Sequence, residues 1–406
     1  MVKEDRQEEG KRMKKIIKAS AVISGSLASV LLTAAIWYGS WLPDVFYVGD
    51  PAGFSLPGVR VSLKQEEVVP AAKSGSALAV QAELKLGGII PVKTVSLIES
   101  EQQYLIPGGT PFGLKMLTDG VLVVGLSPIE TSTGTLCPAQ TAGIRKGDII
   151  TAADGELLDS FDELAEVISA SEGAAVELTV RREEKELQLS VVPAVSNSGR
   201  YQCGIWGRDS SAGIGTMTYY DLSGNFGGLG HGVCDADTES LMPLAKGEIL
   251  QASIFDIVPG TLGEPGELRG SFSGGFSVGM LKKNTPCGVF GTMHTIPDFS
   301  EPMEVGRKQE ITPGPAQILT TVQGKEAVLY EIEIEKVIYS DTPTRNMILK
   351  VTDPELLALT GGIVQGMSGS PIIQDGKLVG AVTHVLVNDP TRGYGIFIEN
   401  MLEAAG

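Results

Sequence analysis

The chain has 406 residues, enough for two or three domains that each bury a core. Its 32 basic and 49 acidic residues leave a net charge of −17, which excludes a basic nucleic-acid binder and suits a soluble ectodomain. Fifty-one glycines with 6% aromatic residues point to a mainly β, turn-rich protein. The four cysteines, Cys137, Cys203, Cys234 and Cys287, show no C-x-x-C pairing and so no zinc site, and they permit three disulfide pairings. No metal and no cofactor is implied.

At the N-terminus a basic tail, residues 1–18, carries Lys11, Arg12, Lys14, Lys15 and Lys18. An uncharged run over 19–42 follows, long enough for a membrane-spanning or signal-anchor helix, with Trp37, Tyr38 and Trp41 near its outer end. Basic residues stay inside, so the rest of the chain is expected on the extracytoplasmic side. It would be held to the membrane by this helix or freed by cleavage after a small-residue site such as Thr33-Ala34-Ala35. Residues 43–100 read as a juxtamembrane segment with short strands, one of them alternating over Leu78, Val80, Ala82, Leu84 and Leu86.

The next unit is placed at 101–193. It opens with Gly108-Gly109-Thr110-Pro111-Phe112-Gly113-Leu114, a turn at Thr118-Asp119-Gly120 and a strand Val121 to Val124. Then come Ala142-Gly143-Ile144-Arg145-Lys146-Gly147-Asp148-Ile149-Ile150 and a helix opened by the capping pair Ser160 and Glu163, with Phe161, Leu164, Ala165 and Ile168 on one face. Alternating strands at Val176-Leu178-Val180 and Leu187-Leu189-Val191 close it. This order resembles a PDZ domain, an α+β module that takes an extended peptide as an added strand. The resemblance implies that the amides of Phe112, Gly113 and Leu114 hold the peptide's terminal carboxylate. A PDZ unit placed before a peptidase core reverses the order of the HtrA-type proteases.

Residues 194–406 are glycine-rich with β-type alternation. They hold all three histidines of the chain: His231, His294 and His384. His231 lies in the glycine-packed turn Gly227-Gly228-Leu229-Gly230-His231-Gly232 and is the favoured general base, while His294 and His384 look like strand or strand-end residues. Gly366-Met367-Ser368-Gly369-Ser370-Pro371 sets a serine between glycines after an apolar run. A nucleophilic hydroxyl needs such a turn, with backbone amides free to receive developing charge, and Gly366 and Ser368 are spaced as an oxyanion-hole pair. For the acid, Asp353, fifteen residues before Ser368, competes with Asp235 and Asp237, and Asp353-Pro354-Glu355 also reads as a helix N-cap. Spacing does not separate the three.

Taken together, the anchor, the PDZ unit, Gly-Leu-Gly-His231-Gly-Val-Cys-Asp, Thr-Asp353-Pro-Glu-Leu-Leu and Gly-Gly-Ile-Val-Gln-Gly-Met-Ser368-Gly-Ser-Pro resemble the stage IV sporulation protein B (SpoIVB) family of serine peptidases. That resemblance implies a triad of His231, Asp353 and Ser368 and a chymotrypsin-like double β-barrel. It also implies a protein that cleaves the regulatory subunit of a membrane metalloprotease complex in the space between forespore and mother-cell membranes. A sporulation sigma factor is processed as a result, and the peptidase also cuts its own N-terminal segment. In chymotrypsin-like enzymes the acid usually lies with the histidine in the first barrel, whereas Asp353 is close to Ser368. The competing expectation is an anchored PDZ adaptor whose peptidase-like domain only binds partners.

Overall fold

The computed structural model describes residue 26 and residues 29–40, 42–56, 58–69, 77–295, 301–339 and 342–406. The chain forms two compact units: residues up to Gln102 with Ile338–Thr342, and Gln103–Val337 with Pro343–Gly406. The basic tail lies outside the described residues, as does part of the expected span over 19–42. Residues 29–40 are helical. Among the described residues no helix is long and apolar enough to cross a membrane.

In the first unit, β1 (Val45–Val48), β2 (Val59–Val69), β3 (Ala77–Leu86) and β4 (Ile90–Glu99) form a sheet of order β1-β4-β3-β2. The alternation read over 78–86 is therefore a strand, and Ala82 and Leu84 bury against Phe46 and Leu97. Tyr38 and Leu42 pack on the same core, so this region is a small folded sheet rather than a run of isolated strands.

The second unit holds two barrels and an insertion. Its first strands are β5 (Tyr104–Pro107) and β6 (Pro111–Leu126). After a small hairpin of β7 (Ile129–Thr131) and β8 (Gly134–Leu136) come helix α1 (Pro138–Thr141), β9 (Ile149–Ala153) with β10 (Glu156–Leu157) folded back on it, and helix α2 (Phe161–Ala170). Strands β11 (Val176–Arg182) and β12 (Lys185–Val191) follow, then the short pair β13 (Ala194–Val195) and β14 (Tyr201–Gln202). The chain returns in β15 (Ile205–Tyr220), β16 (Asn225–Gly228), β17 (Lys246–Val258), β18 (Glu267–Thr285) and β19 (Gly288–Met293). β6 pairs with β17, and the ladder runs on through β18, β19, β16 and β15 back to β6, which closes a six-stranded barrel. β20 (Met303–Glu304) adds to β5.

β6 and β15 are each sixteen residues long and serve two layers. The barrel uses Pro111–Leu117 of β6, and Val121 and Leu122 continue into the insertion, where they pair with β9. The insertion has its own core, including Val121, Ile144, Ile150, Leu164, Leu178 and Val191. Its helix α2 starts as the sequence predicts: the Ser160 hydroxyl accepts from the Glu163 amide at 3.2 Å, and the Glu163 carboxylate accepts from the Asp159 amide at 2.8 Å. Leu164 and Ile168 are buried, but Ala165, expected beside them, is exposed. In the Arg-Lys-Gly-Asp turn the buried Asp148 accepts from the Arg145 amide at 2.8 Å and pairs with Arg182 at 2.7 Å, which raises the Arg182 pKa.

This arrangement corrects two expectations. The insertion's core begins near Val121 instead of residue 101. Phe112, Gly113 and Leu114 are barrel residues: Gly113 faces Ile214 of β15 on one side and Leu250 of β17 on the other. Both edges of the strand are paired, so this stretch is no open carboxylate-binding loop. A Cβ on Gly113 would lie 2.7 Å from Phe272 Cβ, so the glycine serves close strand packing.

The second barrel is closed by β21 (Gly314–Thr320), β22 (Val328–Val337), β23 (Met347–Val351), β26 (Asp389–Phe397), β25 (Lys377–Leu386) and β24 (Pro371–Gln374), in that order. Helix α3 (Pro354–Thr360) lies between β23 and the serine turn, and α4 (Ile398–Ala405) ends the chain. Together these elements give the mainly β, double-barrel architecture expected.

Candidate active site

The turns that carry His231 and Ser368 come from different barrels and abut. His231 follows β16 of the first barrel, after Leu229 and Gly230 at φ 66° and 68°. Ser368 precedes β24 of the second, between Gly366 at φ 98° and Gly369 at φ 97°. A side chain at Gly369 would meet the Leu229 amide nitrogen at 2.6 Å, so only glycine lets the serine turn sit this close to the histidine turn.

The serine turn is pinned beneath and open above. The Gly369 amide donates to the Val382 carbonyl at 2.7 Å, and the buried Ser370 hydroxyl donates to the Met367 carbonyl at 2.7 Å and is hydrogen-bonded with the Thr320 hydroxyl at 2.8 Å. The amides of Gly366 and Ser368 donate to no group among the described residues. Two unengaged donors two residues apart, one of them on the serine itself, are what an oxyanion would need. The Ser368 hydroxyl donates to the Thr383 carbonyl at 2.6 Å.

His231 Nδ1 lies 2.9 Å from its neighbour Gly232's carbonyl. A carbonyl can only accept, so Nδ1 carries the proton and Nε2 is left as the basic nitrogen. Burial lowers the His231 pKa below its ordinary value, so the imidazole is neutral near pH 7. His384, read from sequence as an ordinary strand histidine, stands beside it: the ring centroids are 4.9 Å apart and tilted by 35°. Burial, His231 and Arg345 together push the His384 pKa down to about 4. His294 is engaged elsewhere, its Nδ1 3.0 Å from the Ser277 carbonyl.

None of the three candidate acids is hydrogen-bonded to His231. Asp353 caps α3: Oδ1 accepts from the amides of Glu355 at 2.9 Å and Leu356 at 3.0 Å, and Oδ2 from that of Glu331 at 3.2 Å. Those amide bonds outweigh burial and lower its pKa. Asp235 is buried, accepts from the amides of Asp237 and Thr238, and pairs with Arg208, which also reaches Asp237 at 2.9 Å. Arg208 of β15 thus ties down the loop beyond His231. All four cysteines are free thiols, and Cys234 is exposed. Among the described residues no cluster of three or more His, Cys, Asp or Glu is placed to hold a metal ion.

The histidine turn thus belongs to one β-barrel and the serine turn to the other. Residues 199–402, half of the chain, match the SpoIVB peptidase S55 family, and residues 135–182 match the PDZ domain. The chain belongs to the SpoIVB peptidase S55 family. It is similar to a putative serine protease HhoA of Synechocystis, 31% identical over 125 residues, which are 29% of this chain and 30% of that protein. A probable periplasmic serine endoprotease DegP-like of Brucella suis is 34% identical over 107 residues, 25% of this chain and 21% of that protein. The chain thus spans less than a third of these relatives' length. Among solved structures, the PDZ domain of an SdrC-like protein from Listeria monocytogenes is 25% identical, with 22% of this chain and 87% of that one covered and a TM-score of 0.18. The active form of the Rv3671c protease of M. tuberculosis is 14% identical, with 48% and 75% covered and a TM-score of 0.26. Scores this low carry no weight for the fold.

Proposed function

We propose that this chain is a serine endopeptidase in which Ser368 is the nucleophile and His231 the general base. The observation that carries the reading is the pair of unengaged amides, Gly366 and Ser368, on a serine turn that abuts the turn of His231. When a peptide binds, the Ser368 hydroxyl leaves the Thr383 carbonyl and turns to His231 Nε2, which takes its proton as Oγ attacks the scissile carbonyl. The two amides receive the oxyanion. The protonated imidazole then gives its proton to the leaving amine, and water, activated by the same nitrogen, releases the acyl group. The Gly232 carbonyl fixes the imidazole tautomer, a task that Asp353 would have in a triad, while the Asp353 carboxylate is committed to capping α3.

By family resemblance the protein is anchored to the membrane by its N-terminal helix or released from it, and acts between forespore and mother-cell membranes. Its substrates would be the regulatory subunit of a membrane metalloprotease complex, whose cleavage triggers sigma-factor processing, and its own N-terminal segment. A groove of about 890 Å³ lined by Ala165, Ile168, Gln202 and Trp206, between α2 and the start of β15, supports a peptide ligand for the PDZ unit. Incubating the purified ectodomain with and without Ser368→Ala, with products read by mass spectrometry, tests the reading. Serine-dependent fragments support it, and an intact wild-type chain would leave a binding scaffold.

A further inference from the structure

We infer that Thr216, on β15 of the first barrel, is a positioning residue that keeps the oxyanion hole of the second barrel open. The inference rests on the peptidase reading above. Thr216 is 2% exposed, and its polar groups face both catalytic turns. Its hydroxyl donates to the Gly366 carbonyl at 2.8 Å, and its amide donates to the Ser368 carbonyl at 3.0 Å. Its carbonyl accepts from the Leu229 amide at 3.2 Å, two residues before His231. Two residues along the same strand face, the Thr218 hydroxyl donates to the Gly369 carbonyl at 2.8 Å.

The two carbonyls that Thr216 holds belong to the residues whose amides would form the hole. Anchoring the peptide planes on either side of the Met367–Ser368 bond fixes where the Ser368 amide points. The hydroxyl bond does more than this. Gly366 sits at φ 98°, and glycine moves between backbone basins at little cost. With its carbonyl released, the Gly366–Met367 peptide plane can turn and bring its oxygen towards the developing oxyanion, beside the Gly366 and Ser368 amides. Repulsion there would raise the barrier to reaction while leaving ground-state binding nearly untouched. A buried threonine in the middle of a strand needs an acceptor for its hydroxyl, and here the acceptor is the nucleophile turn of the other barrel.

The test compares Thr216→Val, which keeps the shape and the main-chain bonds but lacks the hydroxyl, with Thr216→Ser, which keeps it. The probes are hydrolysis of p-nitrophenyl acetate and inhibition by phenylboronic acid, whose tetrahedral adduct on Ser368 needs the hole. Thr216→Val should lower kcat about 10- to 100-fold with KM within about twofold, and weaken boronate binding in parallel; Thr216→Ser should restore both to within a few-fold. If Thr216→Val does not fold, Thr216→Cys, a weak donor of similar size, takes its place in the same comparison. A folded variant with wild-type kcat and boronate affinity, or a serine variant as impaired as the valine, overturns the inference. Wild-type protein that shows no Ser368-dependent hydrolysis fails the peptidase reading itself, a separate outcome.

Discussion

The Ser368 hydroxyl donates to the Thr383 main-chain carbonyl at 2.6 Å and is not bonded to His231. The neighbouring His384 ring packs on His231, so β25 supplies both the partner of the Ser368 hydroxyl and a wall for the His231 ring. In the proposed mechanism attack therefore requires a rotation of the Ser368 side chain, a step between staggered rotamers that substrate can favour by occupying the cleft.

Ser368→Ala and His231→Ala should each abolish proteolysis and leave the fold intact, because a hydroxyl is unreactive without a base and the base is idle without its nucleophile. The double variant should be no worse than either single one. Residual self-cleavage at the wild-type rate in Ser368→Ala protein would refute the assignment.

Asp353 separates a cap from a triad acid. As a cap, Asp353→Ala should cost about 1 kcal/mol of stability, up to about 2 because three amides lose their acceptor. Asp353→Asn keeps an acceptor for the α3 amides and should stay within a few-fold of wild-type turnover. In a triad it would lose orders of magnitude, about 10⁴-fold in the trypsin-type precedent. Activity and thermal unfolding of both variants decide between the two roles.

Gly113 should be sensitive for a reason that has nothing to do with peptide capture. A Cβ there would press on the Phe272 Cβ at 2.7 Å inside the barrel, and overpacking of this kind costs about 1–3 kcal/mol. Gly113→Ala should lower the unfolding temperature and, once the barrel loosens, reduce activity on peptides and small esters alike. Loss of peptide cleavage alone, at unchanged stability, would restore a ligand-binding role for this strand.

The histidine pair sets a pH dependence with a definite sign. His231 titrates below its ordinary value of 6.5, so the acid limb of kcat/KM should have an apparent pKa under 6.5. His384 is held neutral in the folded state down to about pH 4, whereas the unfolded chain takes up the proton near 6.5. Between these values the unfolded state binds more protons, so this group's contribution makes stability fall as the pH drops from 6.5 towards 4. His384→Gln should flatten that part of the curve in thermal unfolding measured at pH 7 and pH 5.

By itself the sequence determined the parts whose chemistry is local. A glycine-flanked serine, a glycine-packed histidine, the Ser160 and Asp353 caps and the alternating strands each depend on residues within one turn or one strand, and each is where the spacing placed it. The tertiary structure decided what depends on which strands lie side by side. Phe112-Gly113-Leu114 reads as a loop at the head of a PDZ unit, yet β15 and β17, about a hundred or more residues away in the chain, pair with both of its edges. No periodicity in a segment reveals its long-range partners. The same holds for His384 beside His231, for Arg208 on Asp235 and for Thr216 under the serine turn: a strand residue's face can be read from alternation, but what that face meets is fixed only when the two barrels close and pack.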